Sequence, residues 1–158
     1  MNVVMDADCL IKLTKAQIKE SVCSTFRIAI PSEVRREVMA NAAEHPECAV
    51  VQANLKCGAL AEVAEPKRRM QGEESVLAAY RSGAYACVAS DDKRFIKKLR
   101  IMGVPYITPA VFVLLLVTKS HLSVAEGLAK LEQLAPMISD DEVAIVRLKF
   151  ENLREKGI

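Results

Sequence analysis

The chain has 158 residues, within the size of one domain, and its 51% hydrophobic and 27% charged residues describe a globular sequence rather than a disordered one. A formal net charge of +2 is too small for a global field to hold a polyanion, and 4% aromatic residues with no Trp exclude a platform of stacked bases. Any anionic partner must be held by local patches.

Asn2–Met5 is a short apolar run that ends in Asp, the pattern of a fully buried strand. Cys9–Lys19 reads as one helix, and Phe26–Ile30 as a second strand closed by Pro31. Pro31-Ser32-Glu33 opens a helix that runs to about Ala43, since Pro suits a first turn and acidic residues favour a helix start. A further helix lies between Pro46 and Cys57, with Gly58 as its C-terminal cap. Ala59–Ala64 is a short strand, and Glu65–Gln71 a polar connection carrying Lys67, Arg68 and Arg69. Gly72 precedes a helix from Glu73 to Ser82, ended by Gly83. Ala86–Ser90 is a strand, Asp92–Met102 a helix with a basic face ended by Gly103, and Val104–Thr108 the last strand.

Beyond Pro109 the pattern is helical over Ala110–Lys119, Val124–Leu134 and Asp140–Glu155, with Ser123…Glu126 and Ser139…Glu142 as capping boxes. Strands alternating with helices predict a three-layer α/β/α domain around a parallel sheet. No linker composition or repeat divides it, so residues 1–158 form one domain, with a core over 2–118 and a helical extension over 119–158. The apolar run Ala110–Val117 is too short to span a membrane. Cys9, Cys23, Cys48, Cys57 and Cys87 have no zinc-site spacing. With Met1 leading straight into a strand, they read as reduced thiols in a cytoplasm.

Four acidic clusters stand at strand ends or helix starts: Asp6/Asp8, Glu33/Glu37, Glu73/Glu74 and Asp91/Asp92. In open parallel sheets such positions converge beyond the carboxyl ends of the strands. Glu37 borders the apolar stripe of Val34 and Val38, while Glu33 serves the helix dipole. Glu73 and Glu74 also suit a plain helix start. Converging carboxylates repel one another without a cation. All-oxygen donors favour Mg²⁺ or Mn²⁺, and so metal-assisted phosphodiester chemistry. Lys93, Arg94, Lys97, Lys98 and Arg100 follow the fourth cluster, Lys12, Lys15 and Lys19 the first, and Arg35 and Arg36 flank the second. Each stripe is either a solvated face or a set of phosphate contacts; its place beside acids favours the second. His45 and His121 are isolated, and no nucleophilic triad or glycine-rich phosphate loop is present.

VVMDADCLIKL, IPSEVRREV, GEESVLAAY and VASDDKRFIKKLRIMGVPYITP, in that order over residues 2–118, resemble the PIN-domain family of metal-dependent nucleases. The resemblance implies a parallel sheet flanked by helices, one or two Mg²⁺ or Mn²⁺ ions, and cleavage of single-stranded RNA. It places the acids at Asp6, Glu37, Glu73 in preference to Glu74, and the Asp91/Asp92 doublet. Asp8, Glu74 and Ser90 stand behind them. It also implies a homodimer and, for small members, a toxin restrained by an antitoxin. Asp8 departs from the family's usual Ser, Thr or Asn, and either tightens metal binding or caps the following helix. Two other expectations stay open. One is a haloacid-dehalogenase-type phosphatase with Asp6 as nucleophile and Asp8 as acid/base, which leaves Glu37 and Glu73 without roles. The other is a PIN-like scaffold that binds RNA or a partner without cutting.

Overall fold

The computed structural model describes residues 1–40, 47–63 and 70–155; His45 and the Lys67-Arg68-Arg69 run lie outside them. Five strands, β1 (Asn2–Met5), β2 (Arg27–Pro31), β3 (Ala61–Val63), β4 (Cys87–Ala89) and β5 (Tyr106–Ile107), form one sheet in the order β3-β2-β1-β4-β5. Every pairing is parallel, with Val4 opposite Ala29 on one side and Val88 on the other. Val3, Val4 and Met5 are at most 1% exposed, because helices cover both faces of the sheet. A strand covered on both faces must be apolar throughout, which explains the unbroken run at residues 3–5. The three-layer α/β/α class read from the sequence is the observed one.

The described helices are α1 (Ala7–Lys15), α2 (Lys19–Thr25), α3 (Ser32–Met39), α4 (Glu47–Lys56), α5 (Gly72–Ala79), α6 (Lys93–Ile101), α7 (Pro109–Thr118), α8 (Val124–Leu134) and α9 (Asp140–Glu155). One expected helix is in fact two: α1 stops at Lys15, Gln17 adopts φ 54°, and α2 begins at Lys19. Left-handed backbone at a non-glycine residue is uncommon, so no Gly or Pro marks this break. The turn drives Lys19 fully inside, where its ammonium meets Asn54 of α4 and the Glu20 carboxylate at 3.2 Å. The helix after β2 ends at Met39, earlier than the expected Ala43; residues 41–43 lie outside the described set.

The C-terminal helices are part of the core, with no boundary at residue 119. Leu131 and Leu134 of α8 and Val146 and Phe150 of α9 join the same buried cluster as β1 and the central apolar helix α7. The α7–α8 contact is close: a Cβ on Gly127 would stand 2.5 Å from Val117 and 3.1 Å from Phe150. No helix of the described residues is long and apolar enough to cross a membrane.

Candidate metal-binding cleft

The chain runs outward from β1 through β2 to β3, then returns to the other flank of β1 as β4 and β5. The switch point of this open sheet therefore falls between β1 and β4, where parallel α/β sheets place their ligand crevices. Asp6 leaves β1 with its N–H on the Ala89 carbonyl of β4 at 3.0 Å, and its carboxylate caps α1 by accepting the Cys9 N–H at 2.8 Å. Asp92 does the same for α6, accepting the N–H groups of Arg94 and Phe95 at 2.7 and 2.9 Å. Ser90 joins the two ends. Its buried hydroxyl accepts the Asp92 N–H at 3.2 Å and donates to the Asp6 carboxylate.

Above these strand ends lies a cleft of about 260 Å³ lined by Asp6, Asp8, Glu37, Glu73 and Asp92, with Val34, Gly72 and Lys98. Five carboxylates from four separate segments thus share one hollow. Glu37 arrives from α3, whose Val34 and Val38 are buried, so its side of the helix borders the core. Gly72 makes room for it: a Cβ there would stand 2.8 Å from the Glu37 carboxylate. Glu73 faces the cleft and meets Lys98. Glu74 turns back along α5 and accepts the Gln71 N–H at 3.4 Å, a capping position outside the cleft.

Burial pushes the Asp6 carboxyl up to about 7; the Ser90 hydroxyl and Cys9 N–H oppose this, and the nearby Asp8 and Asp91 charges add to it. Glu37 is also raised, first by desolvation and then by Glu33 and Asp8. Both shifts are led by burial, with the repulsion of neighbouring carboxylates added to it.

Asp91 lies behind the cleft instead of in its lining, with its side chain 10% exposed. It meets the ammonium of Lys12, which also lies 2.7 Å from Asp8. Burial disfavours the Lys12 charge, but the two carboxylates outweigh this and the pKa rises. The other neighbour of Asp91 is Glu142 of α9, which the Ser139…Glu142 capping pattern disguises. Its N–H does lie 3.4 Å from the Ser139 hydroxyl, but its carboxylate reaches away to accept the Ala110 N–H of α7 at 3.1 Å. Burial raises the Glu142 pKa against the Thr108 hydroxyl and Ala110 N–H, and Asp91 raises it further. Only a three-dimensional contact could have revealed this acid.

The basic residues divide. Lys93, Arg94 and Lys97 are exposed on α6, next to the Asp92 cap, while Arg100 donates to the Tyr106 hydroxyl at 2.8 Å. Lys12, expected on RNA, is instead committed to acids. Arg35 pairs with Glu62 at 3.2 Å and Arg36 with Glu33 in its own helix.

Among the described residues, no three of His, Cys, Asp or Glu stand close enough to enclose an ion by direct contact. The donors are all carboxylate oxygens around an open hollow, which suits Mg²⁺ or Mn²⁺ keeping part of its water shell. No family model matches the chain, and no curated protein sequence is similar enough to it to count as a relative.

Proposed function

We propose that the protein is a divalent-metal-dependent endoribonuclease of the PIN-domain type, acting on single-stranded RNA in the cytoplasm. The observation that carries this reading is the cleft itself. Asp6, Asp8, Glu37, Glu73 and Asp92 come from distant segments to the switch point of a parallel sheet, and the most buried of them has a carboxyl pushed up to about 7.

Asp6 and Asp92 would hold the ion, with Glu37 and Glu73 reaching it through water and Asp91 joining from behind. When bound, a divalent ion supplies a water of lowered pKa and offsets charge on the phosphate. The protein's own part is placement. The Cys9 N–H and Ser90 hydroxyl fix the Asp6 carboxylate, backbone N–H groups of α6 fix Asp92, and the packed face of α3 fixes Glu37. Lys93, Arg94 and Lys97 then take the phosphates on either side of the scissile one. The five cysteines carry no disulfide, in keeping with a reducing compartment. The homodimer and antitoxin peptide implied by the family resemblance belong to this reading too. Exposed Ile145 and Leu148 on α9 are apolar surface available to either.

The test is cleavage of a single-stranded RNA panel in Mg²⁺, Mn²⁺ or chelator, with a phosphate monoester assayed in parallel. Asp6→Asn should lower the rate about a hundredfold or more, the scale of losing a charge-stabilising group. Asn caps helices as well as Asp does, so the melting temperature should hold. Undiminished cleavage by Asp6→Asn, or in chelator, overturns the proposal; turnover of the monoester alone would replace it with a phosphatase.

A further inference from the structure

Lys12 stands half-buried among the acids that a divalent ion would need. It lies on α1 behind the Asp6 cap, and helical side chains lean toward the N-terminus. Its ammonium is thereby carried back to Asp8, one turn earlier, at 2.7 Å, and across the sheet end to Asp91. Only 17% of the Lys12 side chain and 10% of that of Asp91 are exposed. An exposed i, i+4 pair is a minor surface contact. This one is different, because it bridges two of the four acidic segments and sets a positive charge against a carboxylate that otherwise faces Glu142.

We propose that Lys12 is the resident counter-ion of the cleft, holding Asp8 and Asp91 together until a divalent cation displaces it. Ion capture and release of the ammonium are then one event. The inference rests on the reading of the cleft as a divalent-ion site and adds to it a competitor built into the chain. Two cations cannot occupy the same carboxylate without repelling each other, and the doubly charged one wins as its concentration rises. Asp91 passes from the ammonium to the ion, directly or through water, and joins Asp6 and Asp92. The ammonium, anchored on a flexible four-carbon stem, swings toward Asp8 and solvent. With no metal, the ammonium at the edge of the cleft keeps Asp8 and Asp91 from driving one another apart.

Two measurements test this on the full chain. Mn²⁺ binding is followed by calorimetry in the wild type and in Lys12→Met, which keeps the length of the side chain and removes its charge. Removing the competitor should tighten Mn²⁺ binding at least fivefold. An unchanged or weaker affinity in a variant that binds Mn²⁺ overturns the role of Lys12 and leaves the ion site standing. No binding by either protein removes both. The second measurement needs no variant. Acylation of wild-type lysines, read by peptide mass spectrometry, should show Lys12 labelling rise severalfold when Mn²⁺ is added, against the exposed Lys149 as internal reference. Labelling that stays level or falls while Mn²⁺ binds shows that the ammonium is not displaced.

Discussion

At Gly72 the Glu37 carboxylate crosses the start of α5 where that helix has no side chain, and an added Cβ would stand 2.8 Å from its Oε2. The obstacle would be the far end of a flexible side chain, so the backbone need not move. Ala also favours a helix over Gly by roughly 1 kcal/mol in a helix interior, and by less at a first turn. Gly72→Ala should therefore leave the melting temperature level or slightly raised, while metal-dependent cleavage falls tenfold or more because Glu37 swings out. Full activity in that variant would remove Glu37 from the site. Single residues were unevenly legible in the sequence. Asp6 could be placed because it directly follows a buried strand, where parallel sheets gather functional groups. Asp91 and Asp92 could not be told apart, because which of two adjacent side chains enters the cleft depends on the cap geometry of α6. Lys12 looked like a phosphate contact because its partner lies 79 residues away.

Helices carry the next lesson. Glu142 ties the first turn of α9 to the N-terminus of α7, a favourable place for a carboxylate, yet it sits against Asp91. Its folded pKa is raised, so the stability it contributes is greatest below the ordinary carboxyl range and is lost as pH climbs through the raised value. Glu142→Gln stays neutral at every pH and can still accept the Ala110 N–H. It should match the wild type in thermal denaturation at pH 4.5 and melt higher at pH 8; equal melting at pH 8 would mean that Asp91 does not oppose Glu142. The pattern Ser139…Glu142 correctly marked the helix start but misdirected the side chain, because a capping box and a long-range acceptor use the same residue types. The break at Gln17 was hidden for a related reason. The apolar spacing of Cys9–Lys19 suits one helix, whereas the left-handed turn at Gln17 carries Lys19 inward against Asn54.

Over the whole molecule, the near-zero net charge hides a division of labour among cations. Lys12, Lys98, Arg35 and Arg36 are spent on acids, and exposed Lys93, Arg94 and Lys97 remain along α6 for an anionic strand. RNA binding should then show a salt slope near −2, roughly −0.7 for each of three phosphates, and Lys97→Gln should reduce its size by about 0.7. A flat slope would leave α6 as an ordinary solvated helix. The strands and intervening helices were legible as apolar runs, but the order of the strands in the sheet was not. The fate of residues 119–158 was not. Gly127 lets α8 sit directly on Val117 and Phe150, a fit that depends on shape rather than on any periodic signal.

β1 and β4 are also the strands through which the two flanks of the sheet are joined, three strands meeting two. Asp6 hangs from one and the Ser90–Asp92 turn from the other, linked by the Ser90 hydroxyl and by the Asp6 N–H on the Ala89 carbonyl. The spacing of these acids is therefore fixed by the β1–β4 pairing, in which Val3, Val4 and Met5 stand opposite Cys87, Val88 and Ala89. The pair of strands that joins the two flanks of the sheet is thus also the pair that carries both sides of the cleft's floor.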